Sequence, residues 1–184
     1  MKIIDEQIVF NGKYIQVIER RFRNRVGGIG HWEVVHTKTY GKIVGIVPIT
    51  AKGEVVLTNN FRVPIKKWVI EFCAGLADKR GESPTSLARR ECLEETGYRV
   101  GRLKRIMEGP FNAGLLSDEI IVFLGFNAVL AQEQKLEDNE TIHVVKVPVN
   151  KLREFLENPP RNTLVDIKLF ALLPFLDSRK LNKT

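Results

Sequence analysis

Cysteine is almost absent from this chain: Cys73 and Cys92 are the only two in 184 residues. Two thiols make no disulfide framework at this length, so both are expected to be small buried hydrophobes in a reducing cytosol. Histidine is nearly as scarce, and the spacing of His31, His36 and His143 makes no metal site. No apolar run reaches the ~18 residues of a membrane-spanning helix. The opening stretch MKIIDEQIVF carries acids among its apolar residues, so no signal peptide is expected. Repeats and low-complexity tracts are missing as well. What remains is an ordinary globular composition, long enough for one domain with a sizeable core or one domain with a small appendage.

Charge is lopsided but dispersed. The formal net charge is +7, with basic residues at Arg20 to Arg25, Lys66-Lys67, Arg102 to Arg105 and Arg179 to Lys183. No basic stripe interleaved with aromatics appears, so nucleic acid is not the expected partner. A solvated surface, or attraction of small anionic substrates, accounts for the charge.

Alternating apolar patterns predict strands over 3–10 and 13–22 around an Asn11-Gly12 turn, then a third over 31–37. Residues 1–38 therefore read as a small antiparallel β unit, and 39–184 as the main domain. Further strands are expected over 42–50, 54–60, 68–72, 98–108, 120–130 and 142–147. The acidic stretch 131–140 reads as a mobile loop, and helices are expected over 151–157 and 166–176. One more helix is well marked: Ser83 suits its N-cap, Pro84 its first position and Gly97 its left-handed stop. Mixed strands with helices on two sides imply an α/β or α+β sandwich.

That helix carries the chemistry. It contains Arg90-Glu91-Cys92-Leu93-Glu94-Glu95-Thr96-Gly97, and Glu91, Glu94 and Glu95 stand at i, i+3 and i+4, on one face. Like charges so spaced repel by about 0.2–0.5 kcal/mol per pair. A hard divalent cation with oxygen ligands is the natural counterpart, Mg²⁺ being the common one.

The segment resembles the Nudix box, G-x5-E-x7-R-E-U-x-E-E-x-G-U with U bulky and aliphatic. Gly75 starts it, Glu82 is the first acid, and seven residues lead to Arg90-Glu91; Glu94, Glu95, Gly97 and Tyr98 follow. The sequence departs twice, with six residues rather than five between Gly75 and Glu82, and with Cys92 at an aliphatic position. The resemblance implies an α/β/α sandwich. It also implies metal binding by Glu91, Glu94, Glu95 and the Ala74 carbonyl, using Mg²⁺ with Mn²⁺ able to substitute. Arg90 is implied to orient the carboxylates. Glu82 either binds metal through water or ties the loop down.

A wider resemblance points to one branch. Asn60-Phe61-Arg62-Val63-Pro64 and Ile70-Glu71-Phe72-Cys73-Ala74-Gly75 are similar to the Q-F-R-x-P…I-E-F-P-A-G run of ADP-ribose pyrophosphatases and related nucleoside diphosphate sugar hydrolases, with Cys73 in place of proline. In that branch the N-terminal β unit helps form a domain-swapped homodimer. His31-Trp32-Glu33-Val34-Val35 resembles its W-E-x-V strand. Trp32 would then stack on a base and Glu33 accept from an exocyclic amine, the alternative being Trp32 in the core or a dimer interface. Arg62 either binds the diphosphate or forms a surface ion pair. Residues 113–119 resemble the P-G-x-S-D-E loop, and Asp138 to Ile142 a D-E-x-I element whose glutamate is a mobile base. Glu140 is thus the implied general base and Glu119 the second candidate. The expectation is a cytoplasmic Mg²⁺-dependent hydrolase of nucleotide sugars, ADP-ribose favoured. GDP-mannose or broad specificity is the near alternative. An RNA or nucleoside triphosphate pyrophosphohydrolase and a non-catalytic sensor are the distant ones.

Overall fold

The computed structural model describes residues 1–176; the basic tail Arg179 to Lys183 lies outside the described residues. Strands β1 (Lys2–Asn11), β2 (Ile15–Arg23) and β3 (Ile29–Thr37) form a three-stranded antiparallel sheet in that order. The first hairpin is looser than an Asn-Gly turn requires, since β2 starts at Ile15 and Gly12 N–H bonds the Ile15 carbonyl at 2.9 Å.

The main sheet is built from β4 (Ile43–Thr50), β5 (Glu54–Arg62), β6 (Lys67–Glu71) and β7 (Cys73–Gly75), followed by helix α1 (Pro84–Thr96). Then come β8 (Tyr98–Arg99), β9 (Leu103–Pro110), β10 (Glu119–Leu130), β11 (Ile142–Pro148), helix α2 (Leu152–Glu157) and β12 (Thr163–Val165). The central path is β12-β6-β5-β4-β10-β8, with β11 on β5, β7 on β4 and β9 on β10. Pairing is mixed: β4–β10 and β6–β12 are parallel and the other strand pairs antiparallel.

Period-two alternation sends side chains to two buried faces. Val44, Ile46, Val56, Ile121 and Phe123 meet Leu87, Ala88 and Cys92 of α1 on one side. Val47, Leu57, Ile70, Val122 and Leu124 meet Leu152, Leu156, Leu169 and Leu172 on the other. The result is the expected layered sandwich, helix on sheet on helix.

Two expectations need correction, and one element was not foreseen. The strand expected over 98–108 is two strands, because Gly101 turns the chain out to bond the Phe126 carbonyl at 2.8 Å, opposite a bulge in β10 at Asn127. The last helix is a three-ten helix, Ile167–Phe175; Pro174 lacks the N–H an α-helical turn would need. The short edge strand β12 was not expected at all.

The two sheets are joined through residues 112–118. Val35 N–H bonds the Leu115 carbonyl at 2.8 Å and Ser117 N–H bonds the Val35 carbonyl at 3.0 Å. Asp118 is buried and accepts from the Thr37 hydroxyl at 2.6 Å.

Candidate metal centre

Helix α1 begins and ends where the sequence says. Ser83 Oγ accepts from Ser86 N–H at 3.2 Å, Pro84 opens the first turn, and Gly97 closes it at φ 75° while its N–H bonds the Leu93 carbonyl. Its apolar stripe, Leu87, Ala88 and Cys92, packs on the sheet. This seating turns the acidic positions toward β7.

Gly75 lies directly beneath Glu91. A Cβ on Gly75 would stand 2.6 Å from Glu91 Oε1, and closer still to its Cγ and Cδ. Only glycine lets helix and strand approach so near. Glu95 is buried, with the Cys73 thiol and the Ala74 backbone close enough to favour its charged form.

Arg90 is the cationic hub. Its guanidinium reaches Asp78 at 2.6 Å, Glu91 at 2.8 Å, and Glu82 and Glu94 at 3.0 Å each. Its hydrogen bond holds the Glu82 carboxyl below the usual range. Burial pushes Glu91 the other way, up to about 8, with Glu95, Glu94 and Asp78 adding to the rise and Arg90 opposing it. Burial likewise raises Glu95 to about 7, with Glu140 adding to the rise and Arg62 opposing it.

Glu140 therefore lies within electrostatic reach of Glu95, its own carboxylate accepting from Glu137 N–H at 2.9 Å. Glu119 is engaged in an ion pair with Lys42, which also holds Glu108 at 2.5 Å. Arg62 Nε bonds Glu71 at 2.7 Å, so it makes the ion pair, while about half of its side chain stays exposed. Trp32 and Glu33 sit on the N-terminal sheet. Trp32 is 53% exposed, donates from Nε1 to the Gly114 carbonyl at 3.0 Å, and borders an apolar hollow of about 280 Å³ with Ile3, Phe22, Val34 and Leu115.

The donor set suits a hard cation. A buried carboxylate, Glu95, and a part-buried one, Glu91, both of raised proton affinity, stand beside the Ala74–Gly75 backbone, which is all-oxygen chemistry. Among the described residues no three His, Cys, Asp or Glu side chains already converge on one point; Arg90 draws Glu94 and Glu82 to itself. The sequence did not single out Asp78, Lys42 or Glu71. Asp78 was the findable one, being an acid in the loop that leads from Gly75 to Glu82.

Arg90→Ala is expected to leave the acidic side chains of Asp78, Glu82, Glu91 and Glu94 facing one another without a counterion. Removing one partner of a poorly solvated ion cluster costs about 3 kcal/mol, or a fall of about 6–12 °C in Tm for a domain of this size. Thermal unfolding of the metal-free variant beside wild type checks this.

Residues 39–171 match the NUDIX domain. The chain belongs to the Nudix family. Across 183 residues it is 28% identical to an ADP-ribose pyrophosphatase of Bacillus subtilis, the match covering 97% of both chains. It is 35% identical over 108 residues to a GDP-mannose pyrophosphatase of Yersinia pestis, covering 53% of this chain and 52% of that one. In fold it is similar to a crystal structure of an ADP compounds hydrolase, at TM-score 0.80 and 21% identity over 99% of this chain and 94% of the other. Nudix hydrolases generally use divalent metal ions. Among the described residues no helix is long and apolar enough to cross a membrane.

Proposed function

We propose that this Nudix protein hydrolyses the pyrophosphate bond of nucleoside diphosphate sugars, ADP-ribose first among them, giving AMP and ribose 5-phosphate, with Mg²⁺ as cofactor and Mn²⁺ as a substitute. The observation that carries the reading is the part-buried Glu91 over Gly75 with the buried Glu95 one turn on along the same helix. The full-length similarity to an ADP-ribose pyrophosphatase supports the substrate class.

Glu91, Glu95 and the Ala74 carbonyl would hold the ion, with Glu94 as a further ligand, direct or through water. Once bound, the ion neutralises pyrophosphate oxygens and lowers the pKa of water. Arg90, braced by Glu82 and Asp78, keeps the carboxylates in register. Glu140 takes the proton of the attacking water as its loop closes. Glu119, held by Lys42, serves better to fix the loop before it than to accept a proton. The exposed part of the Arg62 side chain would be available to the diphosphate. Trp32 offers a ring for the base and Glu33 an acceptor for its amine.

We further propose that residues 1–38 are a dimerisation and base-binding unit. Ile3, Ile8, Val9 and Phe10 of β1 are exposed apolar residues that a second copy would cover. A cytosolic location suits the two free, buried thiols.

Initial rates on ADP-ribose, GDP-mannose, other nucleotide sugars, nucleoside triphosphates and triphosphorylated RNA test this reading. Preference for ADP-ribose is expected. Preference for GDP-mannose would move the specificity within the class. Cleavage of triphosphates or RNA alone would overturn the substrate class, and no turnover on any would favour a sensor.

The raised carboxyl groups fix a pH dependence. Both must shed protons to bind a cation, so Mg²⁺ affinity is expected to climb by up to about tenfold per pH unit for each proton released. The climb should run through the values of about 7 and 8 of Glu95 and Glu91 and flatten above them. Without metal the sign for stability is opposite. Folded values above the ordinary 4.5 mean stability present at pH 4.5 and lost as pH rises toward 8. Calorimetric Mg²⁺ titrations at pH 6, 7, 8 and 9 measure the first effect, and metal-free melting at the same pH values measures the second.

A further inference from the structure

The C-terminus of α1 is closed by the chain segment that leads to Glu140. A helix leaves its last carbonyls without intrahelical donors. Here Gly97 N–H serves Leu93, Lys135 N–H serves Glu94 at 2.8 Å, and the Gln134 side-chain amide serves Glu95 at 2.5 Å. Ala131 N–H bonds the Gly97 carbonyl at 2.9 Å. The Gln132 carbonyl packs so close to Gly97 that no Cβ would fit there.

Gln134 does more than cap. The same Nε2 that bonds the Glu95 carbonyl also donates to the Ile142 carbonyl at 3.2 Å. Ile142 is the first residue of β11, paired with Asn60. One amide group thus ties the helix bearing the metal-ligand candidates to both ends of the segment 134–142. Glu140 stands two residues before the far end of that segment. The bonds Glu140 itself makes are local, its N–H to the Glu137 carbonyl at 3.0 Å and its carboxylate to Glu137 N–H. The segment is therefore fastened at Gln134 and Lys135 on one side and at Thr141, whose carbonyl accepts from Phe61 N–H at 3.3 Å, and Ile142 on the other, while Glu137 to Glu140 bond one another; the Glu140 carboxylate is thus carried on a short turn with a fixed base.

We propose that Gln134 is a positioning residue: its side-chain amide, by joining the carbonyls of Glu95 and Ile142, sets the base of the Glu140 loop on the box helix and so the reach of Glu140 to the reacting water. The inference rests on the reading of Glu140 as general base. A misplacement of about 1 Å at a reacting group costs on the order of 10²-fold, so partial loosening here is expected to cost about tenfold in kcat.

The test is a double-mutant cycle on ADP-ribose hydrolysis with Mg²⁺, using the full chain: wild type, Gln134→Ala, Glu140→Gln and the double variant. Gln134→Met, of similar length but without donors, repeats the cycle should the alanine variant fold poorly, and circular dichroism confirms folding of each. Expected are a kcat about tenfold lower for Gln134→Ala with KM within about twofold, and no further loss from Gln134→Ala once Glu140 is Gln. Losses that multiply in the double variant, a change confined to KM, or an unchanged kcat would each overturn the proposal while leaving Glu140 as base. A Glu140→Gln variant with full kcat would instead remove the base reading, and the proposal with it.

Discussion

Glu95→Gln is expected to lower kcat/KM about 10³-fold while the protein stays folded. Removing a carboxylate ligand forfeits several kcal/mol of charge stabilisation, and each 1.36 kcal/mol is a factor of ten. Glutamine keeps the size of the side chain but cannot carry the charge. The stability change has the opposite sign. Burial raises the Glu95 carboxyl to about 7, so above that pH the folded, metal-free protein carries a poorly solvated charge that the unfolded chain solvates freely. Glutamine removes that penalty, and metal-free Glu95→Gln is expected to be more stable than wild type at pH 8, by on the order of 1–3 kcal/mol. A variant both inactive and less stable would show that Glu95 is a structural side chain. Rates and melting curves on the same preparations separate the two cases.

Gly75→Ala is expected to cost about 10²–10³-fold in activity. The added Cβ would lie 2.6 Å from Glu91 Oε1 and nearer to the carbons behind it, so the Glu91 side chain or β7 must move. Overpacking of this kind costs about 1–3 kcal/mol of stability. The larger effect falls on activity, because the displaced groups are a metal-ligand candidate and the strand that carries the Ala74 carbonyl. Mg²⁺ affinity is expected to weaken in parallel, which calorimetry reads directly. A Gly75→Ala variant with unchanged Mg²⁺ affinity would place the ion away from Glu91. Alanine at Gly81 is the control, since a Cβ there meets nothing within 4 Å; its positive φ of 80° gives it a strain cost but no clash.

Local signals explain what the sequence disclosed. Ser83, Pro84 and Gly97 act on their own backbone, and Leu87, Ala88 and Cys92 follow a helical period, so the bounds and buried face of α1 were legible. The relative placement of Glu91, Glu94 and Glu95 followed from the helix itself. What escaped depended on distant partners. The break between β8 and β9 answers a bulge in β10 at Asn127. Strand β12 exists through its parallel pairing with β6. Gln134 is one amide in a polar stretch, and its importance lies in carbonyls at Glu95 and Ile142 that no local pattern marks. Arg90 illustrates the middle ground: its i,i+4 pairing with Glu94 was visible in the spacing, whereas Asp78 and Glu82 reach it only because the loop folds back.

The same distinction separates the candidate metal centre from specificity. The box fixes a helix and a strand within one short segment. The base would be met by Trp32 and Glu33 and the diphosphate by Arg62, residues that come from two sheets joined through residues 112–118.

The most direct measurement is AMP formation from ADP-ribose as Mg²⁺ is titrated into metal-free enzyme at pH 8, with ribose 5-phosphate quantified alongside. Turnover is expected to rise with Mg²⁺, to yield the two products in equal amounts, and to stop when a chelator is added. Turnover indifferent to the chelator, or no AMP from ADP-ribose or any other adenosine diphosphate sugar, would contradict the proposed function.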